Sequence, residues 1–155
     1  MPIQERIRWT LLKRVHAGIK RLIHTRLWGM HIHASARIEP TAYIDRTWPR
    51  GIYIGADSYV GEQAVILTHD MTRGLYLDTR IGARCYVGPR AIVLPGLTLG
   101  DDCILMPGAL VTKDMPSNSL AIGNPAEIHS RNDATTVTQA ADRVADQSEF
   151  TTARR

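Results

Sequence analysis

Aliphatic residues recur at every sixth position through the middle of the chain, and this spacing predicts the fold. The longest unbroken run comprises Ile81, Val87, Val93, Leu99, Leu105 and Val111. A period of six matches neither an α-helix, which repeats about every 3.6 residues, nor a single strand, which alternates every second residue. It is typical of a parallel β-helix in which each hexad supplies one short strand and one corner. We expect the aliphatic side chains to point inward and the glycines that often follow them to relieve backbone strain at the corners.

The same phase extends towards the N-terminus, as far as Ile32, but it is interrupted twice. Ten positions rather than six separate Ile44 from Ile54, and fifteen rather than six separate Ile66 from Ile81. If three hexads complete one coil, both insertions follow the third side of their coil, and two loops leave the solenoid from the same corner. Because a uniform solenoid has no need of such loops, their shared edge is predicted to carry a functional site.

The hexad pattern weakens after Val111. Residues 115–118 include proline, serine and asparagine, which predicts a turn. Residues 119–122 predict one more strand, and His129 is expected to lie in the tail that follows.

Two terminal segments lack the six-residue phase. Residues 3–28 place apolar side chains at three- and four-residue steps with Lys and Arg on the opposite face, which predicts an amphipathic helix. Residues 130–155 are polar and aperiodic, which predicts a flexible tail. The chain therefore divides into a basic helical arm at 1–30, a β-helix domain at 31–129 and the tail, and the predicted fold class is all-β.

Positive charge is concentrated in the helical arm. The 155 residues carry a formal net charge of +4, but residues 1–30 alone hold seven Lys or Arg against one acidic residue, so the rest of the chain is slightly acidic. This distribution argues against a nucleic-acid-binding domain. Two interpretations of the arm stay open: it packs on the β-helix or a partner subunit, or it lies on an anionic membrane with Trp9 and Trp28 at the interface.

The sequence also indicates a location. It contains no run of about 18 apolar residues and no signal-peptide pattern, so we expect a cytoplasmic protein, peripheral at the inner face of the membrane if the arm binds lipid.

Cys85 and Cys103 occupy equivalent small corner positions 18 residues apart, which is one full coil of three hexads. They are therefore predicted to stack on neighbouring coils as reduced structural thiols.

One histidine lies where the longer insertion begins. His69 follows the inward-facing Ile66 by three residues, and a neutral imidazole can accept a proton near pH 7 without special tuning. A histidine at the edge that carries both insertions is the strongest candidate for a general base in this chain.

Four motifs make the chain similar to a known family. They are THD at 68–70, the IG…VG…LPG…LG run of 81–100, VTKDMP at 111–116 and AIGNPA at 121–126. Over residues 32–128 the chain resembles the hexapeptide-repeat acyltransferases, especially the O-acetyltransferases of bacterial polysaccharide synthesis. The resemblance implies a left-handed β-helix, a homotrimer with active sites between neighbouring subunits, and direct transfer of an acetyl group from acetyl-CoA to a sugar hydroxyl.

The resemblance also implies roles for individual residues. His69 matches the general base, and Asp70 either orients its imidazole or caps the loop. The residues implied for CoA are Gly88, Pro89, Pro107 and Gly108 beside the pantetheine arm, Thr112 and Lys113 near the phosphates, and Asn124 and Pro125 near the adenine. Relatives often have an N–H donor to the oxyanion at the position of Pro89, and proline has none. Either a neighbour such as Gly88 or Arg90 supplies the donor, or the pocket differs.

Acceptor residues are expected on the two insertions, and no metal is expected. Asp45 either contacts the acceptor or forms a turn. Side chains that line the longer insertion could bind a sugar or an anionic group: Arg73, Tyr76, Asp78 and Arg80. A zinc carbonic anhydrase of the same fold needs three histidines around the metal, and the next histidine after His69 is His129. The alternatives that stay open are an acetyltransferase acting on xenobiotics such as antibiotics, and a non-catalytic β-helix scaffold.

Overall fold

A computed structural model describes residues 23–131, which form a coil of short parallel strands. A π-helical turn (Ile23–Leu27) precedes the coil, and a 3-10 turn (Pro49–Gly51) interrupts it. The strands are β1 (His31–Ile32), β2 (Arg37–Ile38), β3 (Tyr43–Ile44), β4 (Ile52–Ile54), β5 (Tyr59–Val60), β6 (Val65–Ile66), β7 (His69–Asp70), β8 (Leu75–Tyr76), β9 (Thr79–Ile81), β10 (Tyr86–Val87), β11 (Ile92–Val93), β12 (Thr98–Leu99), β13 (Ile104–Leu105), β14 (Leu110–Val111), β15 (Ser119–Ile122) and β16 (Glu127–Ser130).

Successive strands are distributed in turn over three sheets. The first sheet has the order β1-β4-β9-β12, the second β2-β5-β10-β13-β15-β16 and the third β3-β6-β11-β14. Each coil adds one parallel strand to every sheet, so the chain returns to the same sheet after three hexads. The parallel β-helix predicted from the sequence is confirmed within the described residues, whereas the left hand implied by the resemblance stays an expectation.

The predicted inward residues form a continuous core. Ile54 lies opposite Ile81 in the first sheet, and Val60 lies opposite Val87 in the second. The accessible fraction of these side chains is 3% or less. Parallel pairing in register therefore stacks one hexad position of every coil into a single apolar column, which explains why the period is kept so strictly.

The glycines that directly follow an inward residue do not relieve backbone strain, because the positive φ angles lie two residues further on, at Arg84 (φ 54°) and Arg90 (φ 59°). Glycine occupies that later corner position at Gly96 (φ 83°) and Gly108 (φ 73°), where it does relieve strain. Gly82 is required for another reason: a Cβ on it would lie 2.6 Å from the carbonyl carbon of Gly100 in the next coil. A side chain is excluded at this position because the coils stack closely, and not because the residue has a positive φ angle.

Both insertions leave the coil between the third sheet and the first, as predicted. The shorter insertion, residues 45–51, connects β3 to β4, and the longer one, residues 67–78, connects β6 to β9. The longer insertion contains the antiparallel hairpin β7–β8. We call this edge the insertion corner; it also includes the plain turns at 94–97 and 112–114 of the two following coils.

The C-terminal end of the coil differs in part from expectation. Strand β15 has the predicted bounds, but His129 lies in an unforeseen antiparallel strand, β16, rather than in a tail. Met115, expected in a turn, is buried and bridges Leu99 in the first sheet. Antiparallel pairing covers the last edge of the second sheet, which stops the coil from propagating.

Other predictions concern the ends of the chain and the cysteines. Most of the predicted helix at 3–28 and nearly all of the predicted tail at 130–155 lie outside the described residues. Cys85 and Cys103 are both buried, unlinked and one coil apart. Among residues 23–131 no helix has the length and hydropathy that a bilayer crossing requires.

Candidate active site

A buried carboxylate ties the two insertions together. Asp45 follows β3 directly and is 3% exposed. Its Oδ1 accepts a hydrogen bond from the Thr47 amide (2.8 Å), and its Oδ2 accepts hydrogen bonds from the amides of Thr68 (3.1 Å) and His69 (3.0 Å). Of the two roles expected for Asp45, these contacts are those of the turn-forming one. The same carboxylate also binds the backbone of the longer insertion.

Asp45 keeps its charge in this environment. Burial by itself raises the pKa of Asp45, but the hydrogen bonds from Thr47, Thr68 and His69 together outweigh it and hold that pKa below the ordinary value of 3.8. An ionised carboxylate accepts stronger hydrogen bonds than a neutral group does. The backbone at His69 is therefore anchored by a permanent charge at neutral pH.

Further contacts connect the insertions beyond Asp45. The hydroxyl of the buried Thr68 donates to the carbonyl oxygen of Trp48 (3.0 Å). The Trp48 indole N–H points at Asp78 Oδ1 (3.5 Å), and Arg80 donates to Asp78 Oδ2 (2.9 Å). Residues 45–51 and 67–78 thus form one connected unit on the side of the coil.

The imidazole of His69 is held by an aromatic ring. His69 in β7 lies opposite Tyr76 in β8, and the two rings stack with centroids 4.7 Å apart and planes inclined by 14°. His69 is half-buried, so its ring remains accessible from the other side. In the sequence, the only sign of this pairing is that six residues separate the two positions, a spacing that fits a short hairpin.

Asp70 does not hydrogen-bond the imidazole. Its Oδ1 accepts from the amides of Thr72 (2.9 Å) and Arg73 (3.1 Å), and its Oδ2 accepts from Arg73 Nε (2.6 Å). The Arg73 guanidinium and these backbone bonds hold the pKa of Asp70 below its ordinary value. Between the two roles expected for Asp70, the contacts are those of a cap on the hairpin loop.

A groove of about 870 Å³ opens beside His69 at the insertion corner. It contains the predicted residues Asp45, Asp70, Arg73 and Thr112, whereas Tyr76 and Asp78 are not among its lining. Several lining residues were not predicted: Tyr43, Thr47, Leu67, Met71, Thr72, Leu77, Leu94, Pro95, Gly96 and Leu97. The turn at 94–97 could have been found by counting, since it occupies the insertion corner one coil further on.

The residues implied for CoA do not come together within one chain. Pro89, Pro107 and Gly108 line a second groove of about 520 Å³ at the corner between the second and third sheets. Thr112 and Lys113 lie at the insertion corner instead, and Asn124 and Pro125 lie in the turn between β15 and β16. Within a single copy of the chain, the residues implied for the pantetheine arm therefore lie apart from those implied for the phosphates.

The expected oxyanion donors are already engaged. The Gly88 amide donates to the Leu105 carbonyl (2.9 Å), and the Arg90 amide donates to the Glu62 carbonyl (2.9 Å). Gly88 is itself a packing position, because a Cβ on it would lie 2.6 Å from the Leu105 carbonyl oxygen. Neither amide is therefore free to donate to an oxyanion in this arrangement of the backbone. Across residues 23–131 no group of three His, Cys, Asp or Glu side chains is placed to hold a metal ion.

The sequence matches known proteins over the coil. A family model described as "Bacterial transferase hexapeptide (six repeats)" matches residues 78–113. A Staphylococcus aureus protein with the name "Putative acetyltransferase SAS0727" is 35% identical over 112 residues, which are 71% of this chain and 70% of that protein. The Bacillus subtilis protein named "Putative acetyltransferase YvoF" is 26% identical over 113 residues, 72% of this chain and 66% of that protein.

Solved structures show the same architecture. A maltose O-acetyltransferase from Clostridium difficile 630 superimposes with a TM-score of 0.58 at 21% identity, over 83% of this chain and 86% of the other. The hexapeptide-repeat acetyltransferase VCA0836 from Vibrio cholerae superimposes with a TM-score of 0.54 at 17% identity, over 73% of this chain and 79% of the other. At these identities the likeness establishes the fold.

Proposed function

The chain belongs to the bacterial hexapeptide-repeat acetyltransferases, and from that premise we propose that it transfers an acetyl group from acetyl-CoA to a sugar hydroxyl, with His69 as the general base. The observation that carries this proposal is the position of His69. Among the described residues it is the one histidine that lines the groove at the insertion corner. Its backbone is anchored by Asp45 (3.0 Å) and its ring by Tyr76.

The chemistry needs a base because a neutral sugar hydroxyl is a poor nucleophile towards a thioester. In the proposed step, neutral His69 takes the hydroxyl proton while the oxygen attacks the thioester carbonyl. The tetrahedral intermediate then expels the CoA thiolate, which receives that proton from the imidazolium. The products are the O-acetyl sugar and free CoA.

A direct transfer is favoured over a covalent acyl-enzyme. The residues lining the groove include no serine or cysteine, and both cysteines are buried in the regular part of the coil. Kinetics are therefore expected to be sequential, with both substrates bound before the chemical step.

The proposed CoA site is shared between copies of the chain. Pro89, Pro107 and Gly108 line one groove and Thr112 lines the other, so a neighbouring copy that brings its second groove to the first would bring these residues together. This arrangement supports the proposal of a homotrimer with active sites between subunits. Lys113, exposed at the edge of the insertion corner, is assigned to a CoA phosphate.

The acceptor is assigned to the groove beside His69. Its volume of about 870 Å³ lies within the range of small-molecule sites, and Arg73 and Asp45 line it. We assign Arg73 to the sugar or to an anionic group on it, within the synthesis of a cell-surface polysaccharide. The basic arm at 1–30 would let a cytoplasmic enzyme approach the inner face of a membrane where such acceptors are assembled.

His69→Ala tests the proposal directly. Release of free CoA thiol from acetyl-CoA is measured in the presence of a panel of sugars that includes maltose. We expect kcat to fall by about 10²–10⁴, the usual contribution of a positioned general base, with unchanged acetyl-CoA affinity by calorimetry. His33→Ala is the matched control, because His33 is exposed at a corner without insertions.

Two outcomes would contradict the proposal. Wild-type protein that binds no acetyl-CoA would remove the acetyltransferase assignment. A His69→Ala variant that keeps more than about a tenth of wild-type kcat would place the base elsewhere.

A further inference from the structure

We infer that Tyr76, supported by Trp48, is a positioning residue that sets the orientation of the His69 imidazole. The inference rests on the proposed function, since it concerns how the proposed base is held. It also changes the role expected for Tyr76, which its position on the longer insertion suggested as an acceptor contact.

The geometry places the two rings face to face. Antiparallel pairing of β7 with β8 fixes Tyr76 directly across from His69. The ring planes are inclined by only 14° with centroids 4.7 Å apart, so one face of the imidazole is covered by the phenol ring. Because the His69 amide is also bound to Asp45 (3.0 Å), both the backbone and the ring of the base are restrained.

Trp48 supports Tyr76 from behind. Its ring lies 5.8 Å from the Tyr76 ring at an inclination of 53°, a tilted arrangement that aromatic pairs favour. Trp48 is itself tied to the longer insertion through its carbonyl, which accepts from Thr68 Oγ1 (3.0 Å). The order of contact is therefore Trp48, Tyr76, His69, and it connects the shorter insertion to the base.

No carboxylate takes this place. Within residues 23–131 the structure contains no hydrogen bond to a ring nitrogen of His69, and the adjacent Asp70 is fully engaged with Thr72 and Arg73. A general base must be held in line with the proton that it removes, and small misplacements cost large factors in rate. Stacking by Tyr76 is the contact available to supply that restraint.

The two roles for Tyr76 predict different kinetics. A positioning residue acts on every reaction that uses His69, including slow hydrolysis of acetyl-CoA by water. An acceptor contact acts only on transfer and raises the KM for the acceptor. The role of the ring and that of the hydroxyl are also separable, because Phe keeps the stack and loses only the hydroxyl.

The experiment compares Tyr76→Leu with Tyr76→Phe, using acetyl-CoA with water and with maltose as the probes. Tyr76→Leu is expected to lower kcat for both reactions by about 10- to 100-fold with an unchanged KM for maltose, and Tyr76→Phe is expected to retain wild-type values. The NMR signals of the His69 ring protons should lose their ring-current shift in the Leu variant alone. Tyr86→Leu is the control, since Tyr86 stacks on Tyr59 in the second sheet, away from both insertions.

The outcomes separate this inference from the proposed function. If His69→Ala is inactive while Tyr76→Leu keeps wild-type rates and the wild-type His69 signals, the inference is overturned and the general-base proposal stands. A raised KM for maltose with unchanged hydrolysis would make Tyr76 an acceptor contact instead. If maltose is not turned over, hydrolysis and the NMR signals decide, and unchanged His69 signals in Tyr76→Leu overturn the inference.

Discussion

The insertion corner and the corner between the first and second sheets, which we call the regular corner, differ in how their backbone amides are hydrogen-bonded. At the regular corner the chain turns from strand to strand in four residues, and its amides bond to the backbone of a neighbouring coil, as Arg84 N does to the Ala56 carbonyl (2.7 Å), or to an exposed side chain, as Ala83 N does to Asp101 (2.8 Å). At the insertion corner, inserted residues displace the chain, and the buried Asp45 carboxylate accepts three amide hydrogen bonds. Side chains accept amide hydrogen bonds at both corners, and the insertion corner differs in that one buried carboxylate accepts three of them.

The difference also explains where a site can form. Stacked coils at the regular corner leave no room even for a Cβ at Gly82. At the insertion corner the two loops stand away from the coil, and the groove of about 870 Å³ lies between them and the plain turn at 94–97. Between β1 and β14 the coil departs from its repeat at this edge, and this is where the proposed chemistry is assigned.

Asp45→Ala is expected to have the largest effect of the substitutions that distinguish the two corners. It removes the acceptor of three amide hydrogen bonds, which should cost about 1–3 kcal/mol in unfolding free energy and displace His69 enough to lower kcat by about 10²-fold. Urea denaturation and thiol release measure the two effects.

The matched control is Asp101→Ala at the regular corner. Asp101 also accepts an amide hydrogen bond, from Ala83 (2.8 Å), but it is exposed and distant in the chain from both insertions. We expect it to leave kcat unchanged. Equal losses of activity in the two variants would show that Asp45 has no special role in placing His69.

Gly82→Ala tests the regular corner itself. The added methyl group would meet the Gly100 backbone at 2.6 Å, so the coils must separate locally, at a cost of about 1–3 kcal/mol in unfolding free energy. The kcat per folded molecule should not change. A stability equal to that of the wild type would mean that coil stacking does not exclude a side chain here.

The smallest expected effect is the pH dependence of the Asp45 contribution. Because the pKa of Asp45 is lowered in the folded state, its carboxylate stabilises the fold above the unfolded pKa, and this stabilisation is lost as pH falls through the folded pKa. The difference in unfolding free energy between wild type and Asp45→Asn should be constant from about pH 7 to 5 and should shrink below about pH 4. A difference that persists undiminished at about pH 2 would contradict a lowered pKa of Asp45 in the folded state.

The positions of the inward residues and the shared corner of the insertions could both be predicted by counting hexads. Each depends on a period that the coil imposes on the sequence, because stacked coils place the same position on the same side every time. The reason for Gly82 could not be found in this way. It depends on the distance to the next coil, and glycine at a turn suggests a positive φ just as readily.

The sequence by itself determined the parallel β-helix, the corner that carries the insertions and the placement of His69 on that corner. Only the tertiary structure decided how His69 is held: by Asp45 at its backbone, and by Tyr76 rather than Asp70 at its ring. The physical reason is that the inserted residues have no period. Asp45 meets the Thr68 amide across 23 positions of the chain, and a contact of that kind is set by the folded loops and leaves no repeating pattern along the chain.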